Sequence, residues 1–251
     1  MDYLGFAVWC FLVAFGGGLV GLVLGNLRLP LAVTIATSPA AGAGANLGIS
    51  AAAAASASVA HLRGGRINWR LFAWMAPPSV AGAVGGGYLS GVLPSRVLLG
   101  VIAAVLFLSA LQLLGWEPAQ ARRERERRGG ELDVRAAVLT GAAIGVLGGV
   151  VGLILGSLRM PALLRVVGEE PARAVGTNVT VGFCVGVAGA LGHLPSATPD
   201  WTLLGVGAAA SIPGALAGSR LTGRLSERQL VRAIAVVLLI AAASMVVQAA
   251  L

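Results

Sequence analysis

One fourteen-residue pattern occurs twice in the chain, and this duplication restricts the fold more than any other feature of the sequence. Residues 17–30 read GGLVGLVLGNLRLP and residues 148–161 read GGVVGLILGSLRMP, so ten of the fourteen positions are identical at an offset of 131. An internal repeat of this kind indicates that two structurally related units share one chain. The fold must therefore accommodate two copies of the same set of elements.

The correspondence continues beyond the pattern after one inserted residue, which changes the offset to 132. The matched pairs include Pro39 and Pro171, Asn46 and Asn178, His61 and His193, Trp69 and Trp201, and Arg96 and Arg228. We therefore expect a first repeat over 1–115 and a second over 135–251, joined by an Arg/Glu-rich linker over 116–134.

The repeats are apolar enough to place the chain in a membrane. Hydrophobic residues make up 57% of the chain and charged residues 11%, whereas soluble domains carry about 25% charged residues. Segments of the length that crosses a bilayer as a helix recur in both halves. The apolar segments are 5–25, 29–38, 41–60, 70–92, 97–115, 135–156, 160–168, 172–193, 201–219 and 229–249. The sequence predicts an all-α polytopic membrane protein.

Two of these segments, 29–38 and 160–168, are too short to span the hydrocarbon core. Each follows a glycine-rich stretch, and we expect each to begin at a proline, Pro30 or Pro161. Short segments interrupted by Gly and Pro at matching places in two halves are the best pointer in a sequence to a transporter binding site. Each half is thus predicted to contain a broken or re-entrant helical hairpin.

The arginines indicate that the two copies have inverted topology. Residues 58–72 contain three arginines and the matching residues 190–204 contain none, whereas residues 88–100 contain one and the matching 220–232 contain four. Basic residues favour cytoplasmic loops, so equivalent loops are expected on opposite sides of the membrane. Inversion requires an odd number of crossings in each repeat. Three full spans plus the hairpin satisfy that requirement.

The same charges set the orientation of the chain. Five arginines lie within residues 122–128 of the linker, which we expect on the cytoplasmic side of a multi-pass protein of the cell inner membrane. Both termini are then expected outside. Because the basic residues are explained as orientation signals, nucleic acid is not an expected partner, and the lipid bilayer is.

The strongest candidates for substrate-binding residues are Arg28 and Arg159, which occupy the same position in the two copies of the pattern. An arginine within an apolar hairpin is costly and is a functional residue by default. The guanidinium presents a planar fork of donors that suits an oxyanion. Two such groups related by a pseudo-two-fold axis could converge on one anion. Alternatively, each arginine snorkels to the interface or pairs with a carboxylate.

Polar and glycine residues near the two arginines complete the candidate substrate site. Asn46, Thr177 and Asn178 supply hydrogen-bonding side chains in otherwise apolar runs. They either line a substrate path or bond neighbouring helices. Gly25, Gly156 and Gly176 would admit close approach of the backbone to an anion; close packing between helices is the alternative.

The sequence contains no pattern for catalysis or metal binding. Cys10 and Cys184 lie in apolar runs without metal-ligand spacing, and no nucleophile, base and acid are arranged as in an enzyme. We expect no enzymatic activity, cofactor or metal.

The second half resembles the TauE/SafE sulfite exporter family. The resemblance rests on residues 152–161, on residues 174–178 (AVGTN), on Gly192-His193 and on Trp201, and the first half repeats a degenerate version. It implies transport of sulfite, organosulfonates and related organic anions, which an arginine-lined site would suit.

We therefore expect transmembrane transport, in the direction of export, of a small sulfur oxyanion such as sulfite or an organosulfonate. The transporter would work by alternating access at a midplane site between the repeats. An anion channel, a transporter of another small organic anion such as a carboxylate, and a membrane-embedded assembly partner are the alternatives. A coupling proton or cation and a homodimer are compatible with the sequence.

Overall fold

In the computed structural model, the described residues are 3–36, 39–88, 95–115, 133–151, 154–193 and 200–250, and every regular element among them is helical. One π turn, Leu163–Val167, continues the seventh α-helix. The α-helices are α1 (Tyr3–Val20), α2 (Gly25–Ile35), α3 (Pro39–Arg63), α4 (Trp69–Tyr88), α5 (Ser95–Leu114), α6 (Val134–Val151), α7 (Gly156–Ala162), α8 (Pro171–His193), α9 (Trp201–Thr222) and α10 (Glu227–Ala250).

The helices of the two halves begin at equivalent positions. The starts of α1 and α6, and those of α2 and α7, are 131 residues apart, whereas the other three pairs of starts are 132 residues apart. These are the two offsets of the sequence repeat. Residues 116–132 of the predicted linker lie outside the described residues, so the predicted domain boundaries stay a prediction.

The first hairpin breaks earlier than the sequence predicted. Helix α1 ends at Val20 and α2 begins at Gly25, with Gly21 at a φ of +68° between them. A glycine adopts this left-handed conformation without the steric penalty of a side chain. Because Trp9 Nε1 donates to the carbonyl of Leu27 at 3.0 Å, α2 returns along α1. The prediction that the short helices begin at a proline was wrong, because α2 begins at Gly25 and α7 at Gly156.

The prolines lie inside the short helices instead. Pro30 is inside α2 and Pro161 inside α7. A proline lacks the N–H that would bond the carbonyl four residues earlier, and for Pro30 that carbonyl belongs to Asn26. Gln248 Nε2, from α10, donates to this carbonyl at 3.3 Å. In the second half a π turn, Leu163–Val167, follows Pro161.

Glycines let the two halves pack closely, with α1 against α9 and α6 against α4. A Cβ added at Gly214 would collide with the carbonyl oxygen of Phe11, and one at Gly82 would lie 2.6 Å from that of Ala142. These two contacts are equivalent in the repeat. Each half thus places its first helix against the fourth helix of the other half, through helix surfaces that only glycine permits.

The equivalent helices α3 and α8 cross at the centre and run in opposite directions. A Cβ at Gly186 would lie 3.6 Å from Ala51 Cα, whereas one at Gly176, ten residues earlier on α8, would lie 3.2 Å from His61 Cβ, ten residues later on α3. Residue numbers therefore rise along one helix as they fall along the other.

Three of the described helices are long and apolar enough to cross a membrane by length and composition. They are Tyr3–Val20, Trp201–Thr222 and Glu227–Gln248, with mean hydropathies of 1.9, 1.3 and 2.6. Large apolar side chains such as Leu4, Leu139 and Val247 are exposed on the outer surface, as a lipid-facing surface requires. The remaining predicted spans stay predictions.

Candidate functional site

Arg28 lies in a pocket formed by three helices, where each of its three guanidinium nitrogens donates a hydrogen bond. Its side chain, on α2, is 2% exposed. Nε donates to Asn46 Oδ1 at 3.0 Å and Nη2 to Ser50 Oγ at 2.6 Å, both on α3, while Nη1 donates to Ser211 Oγ on α9 at 3.3 Å. Among the described residues no carboxylate bonds this guanidinium. The pocket therefore holds a positive charge with neutral acceptors.

Arg159 occupies the equivalent position on α7 and is 1% exposed. It makes one weaker bond, from Nη1 to Asn178 Oδ1 on α8 at 3.3 Å. Within the described part of the chain, Nε has no hydrogen-bond partner. A buried donor left without a partner is costly, and more so when it belongs to a charged group.

Asn178 joins the tips of both hairpins. Its Nδ2 donates to the carbonyl of Gly21, in the turn between α1 and α2, at 2.7 Å, and to that of Gly156, at the start of α7, at 3.0 Å. The backbone of the two tips also comes together, because a Cβ added at Gly156 would lie 3.5 Å from the amide nitrogen of Val23. The two broken hairpins thus meet, and each carries one buried arginine.

Gly25 and Gly156 begin the short helices, but their surroundings differ. A Cβ at Gly25 would lie 2.7 Å from Ser50 Oγ, whereas the nearest atom to one at Gly156 is 3.5 Å away. The backbone of the first hairpin is therefore packed more tightly against its arginine pocket than that of the second.

A small cavity adjoins the first arginine. Its volume is about 20 Å³, and it is lined by Arg28 and Ser50 together with small and apolar residues, among them Gly17, Ala54 and Val179. The cavity lies between α1, the first hairpin tip and α3, and its polar groups are concentrated at the arginine. A space of this size has room for a water molecule rather than for an organic solute.

Two predicted site residues face elsewhere. Thr177 Oγ1 accepts from the backbone N–H of Asn68 at 2.9 Å, and a Cβ at Gly176 would collide with the carbonyl of Arg66. Successive residues of an α-helix point about 100° apart, so these two cannot share the direction of Asn178. They join α8 to the loop between α3 and α4.

This loop forms a second polar cluster. Arg66 donates from Nη2 to the carbonyl of Ser219 at 2.9 Å and from Nε to His61 Nδ1 at 3.1 Å. Asn68 donates to the buried carboxylate of Glu169. Partial burial holds the pKa of the Arg66 guanidinium below its usual value. The cluster brings loops of both halves to one end of the molecule.

Ser50 and Ser211 were missed by the sequence analysis although both bond Arg28. Ser50 follows Asn46 by four residues, the spacing that places two side chains on one helix face, so this neighbour could have been found. Ser211 is 183 residues from Arg28 in the chain, and no local pattern links the two.

The chain has apolar helical spans, an internal duplication and a buried polar site where two broken hairpins meet. These features are typical of a membrane transporter with internal repeats. The sequence model of the family described as "Sulfite exporter TauE/SafE" matches residues 6–245. The chain belongs to this family, as the resemblance implied, and it is a membrane transporter of that family.

A curated relative agrees with this class. The chain is 25% identical over 168 residues to "Probable membrane transporter protein YdhB" of Bacillus subtilis (strain 168). The aligned residues cover 67% of this chain and 69% of the relative. No solved structure matches the chain significantly.

Proposed function

We propose that this transporter moves a small sulfur oxyanion, such as sulfite or an organosulfonate, out of the cell. The observation that carries the proposal is the pair of buried arginines at the meeting point of the hairpins. Neither Arg28 nor Arg159 bonds a carboxylate among the described residues, and both are at most 2% exposed. Buried charges are normally paired, so an anionic substrate is the natural counter-charge.

An inverted arrangement of the two repeats supports transport by alternating access. The opposite directions of α3 and α8 are what inversion requires of equivalent helices. The cluster of Arg66, Asn68, Ser219 and Glu169 supports the orientation, because it gathers the arginine-rich loops at one end, which we assign to the cytoplasm. The termini would then be outside and the site near the midplane.

The proposed site uses the residues of both tips. Arg28 and Arg159 provide charge, and Asn46 and Asn178 orient the two guanidiniums. Gly25 and Gly156 let the backbone of each tip approach its neighbours. Gly176 and Thr177 lie outside the site. They hold α8, which carries Asn178, against the loop between α3 and α4.

The test is sulfite flux in proteoliposomes. Arg28→Ala and Arg159→Ala are each expected to reduce sulfite flux at least about tenfold, because one lost charge-assisted contact accounts for that factor. Arg165→Ala is the matched control, since Arg165 is exposed and only six residues from Arg159. Flux that is unchanged in both site variants would overturn the assignment.

The same assay distinguishes the alternatives. Saturation of flux with sulfite concentration is expected of a transporter, whereas flux that rises linearly with the gradient would favour an anion channel. Stronger competition by a carboxylate than by a sulfonate would favour a transporter of other organic anions.

A further inference from the structure

The two arginine pockets are related by the sequence repeat but are not equally satisfied. Among the described residues Arg28 has three partners, from Nε, Nη1 and Nη2, and Arg159 has one. The asparagine is retained in both pockets, as Asn46 and Asn178. The difference lies in the two serine partners of Arg28.

The first missing partner is explained by a substitution between the repeats. Ser50, which accepts from Arg28 at 2.6 Å, corresponds to Gly182 at the offset of 132. The second pocket therefore has no hydroxyl at this position. Val23 covers it, since its Cγ2 lies 2.7 Å from where a Cβ at Gly182 would be. The position is thus closed by an apolar side chain of the opposite hairpin tip.

The second partner is retained but unused. Ser211 corresponds to Ser79 of α4, which is fully buried, and its Oγ has no partner among the described residues. The surroundings match as well. Ser211 Oγ bonds the carbonyl of Cys10 at 3.4 Å, and Ser79 Oγ lies 3.0 Å from a Cβ built at Gly141, the equivalent of Cys10. Ser79 therefore occupies the same place in its repeat.

Arg159 Nε and Ser79 Oγ are buried without a partner among the described residues, and they hold the positions that Arg28 and Ser211 hold in the first pocket. We propose that the transported anion binds in the second repeat, against Arg159 and Ser79, while Arg28 and its serines hold the first hairpin in place. This inference rests on the proposed function and assigns its substrate to one of the two pockets. The looser surroundings of Gly156 compared with Gly25 agree with it.

The free donors indicate the chemistry of the ligand. The guanidinium of Arg159 offers Nε and its unused Nη hydrogens as a planar fork, and Ser79 adds one hydroxyl. Asn178 contributes no donor, because its amide hydrogens bond Gly21 and Gly156. A small oxyanion with at least two terminal oxygens, such as a sulfonate or sulfite, can use the fork and the hydroxyl together.

The test compares two equivalent serines in the purified full-length protein in detergent. The dissociation constants of sulfite and methanesulfonate are measured by titration calorimetry, and folding is measured by the melting temperature. Ser79→Ala is expected to weaken binding about tenfold without lowering the melting temperature, because it removes an unpaired hydroxyl. Ser211→Ala is expected to lower the melting temperature and to change the dissociation constant less than Ser79→Ala does.

The opposite pattern, in which Ser211→Ala weakens binding more than Ser79→Ala, would overturn the inference and leave the proposed function intact. Failure of the unchanged protein to bind either anion would overturn both. If Ser79→Ala does not fold, Arg159→Lys and Arg28→Lys replace the pair. Arg159→Lys is then expected to lose affinity and Arg28→Lys to lose thermal stability, and the reverse would contradict the inference.

Discussion

Arg28 Nε donates to Asn46 Oδ1 at 3.0 Å, across the buried contact between α2 and α3. The partner is a neutral amide, so the guanidinium keeps its full charge inside the protein. The same pairing recurs between Arg159 and Asn178. The repeats thus preserve an arrangement that orients an arginine without neutralising it.

Asn46→Asp is expected to keep or raise the melting temperature and to reduce sulfite flux less than Arg159→Ala does. The new carboxylate would pair with Arg28 at the distance of the existing bond and keep the first hairpin in place, whereas the anion is assigned to Arg159. Proteoliposome flux and thermal unfolding check both parts. The control is Asn46→Leu, which leaves Arg28 Nε unpaired and should lower the melting temperature. An aspartate variant that loses as much flux as Arg159→Ala would show that the charge of Arg28 acts on the anion directly.

Asn178→Leu is expected to destabilise the protein by about 2–3 kcal/mol, because two buried bonds between the hairpin tips are lost. That corresponds to a melting temperature lower by roughly 5 °C or more. Thr180→Val is the matched control on the same helix, since within the described part of the chain the Thr180 hydroxyl bonds the carbonyl of Gly176, one turn away, and no residue of the hairpin tips. Equal effects of the two variants would contradict a special role for Asn178.

Gly25→Ala is expected to cost about 1–3 kcal/mol, the range for overpacking, and Gly156→Ala much less. The added methyl group at 25 would meet Ser50 Oγ at 2.7 Å and displace it from Arg28, whereas the nearest atom at 156 is 3.5 Å away. Thermal unfolding of the two variants provides the measurement. A larger loss for Gly156→Ala would mean that the second pocket is the tighter one.

Much of the helix arrangement could be predicted from the sequence, because the internal duplication shows which segments of the two halves are equivalent. Equivalent helix starts follow the two offsets of the repeat, and the hairpins lie where glycines interrupt the apolar segments. The position of the break was mistaken because Pro30 is tolerated inside α2, where Gln248 supplies a distant donor. A donor 222 residues from its acceptor carbonyl at Asn26 leaves no local signal.

The candidate site was predictable as a pair of arginines but not as two unequal pockets. Arg28 and Arg159 are matched by position, and so are Asn46 and Asn178. The inequality depends on which hydroxyl faces which guanidinium, and this follows from the packing of α9 beside α1 rather than from spacing along the chain. Ser211 could only be found once these helices were placed together.

Gln248→Leu is expected to destabilise the protein by about 1 kcal/mol, because the carbonyl freed by Pro30 loses a donor. In a Pro30→Ala background the restored N–H of residue 30 can bond the carbonyl of Asn26, so Gln248→Leu should cost less there. Melting temperatures of the two single variants and the double variant form a double-mutant cycle. Strictly additive effects would show that Gln248 and Pro30 are energetically independent.

Fusions to reporter proteins are expected to place both termini outside and the linker in the cytoplasm. The reason is the distribution of arginines, since the loops and helix ends that bear Arg66, Arg70, Arg220 and Arg224 come to one end of the molecule through the bond from Arg66 to Ser219. Alkaline phosphatase fused after Leu251 should be active and a green fluorescent protein there dark, whereas fusions within 116–132 should give the opposite result. A fluorescent C-terminal fusion would contradict the inverted topology, because an odd number of crossings in each repeat puts both ends of the chain on the side opposite the linker.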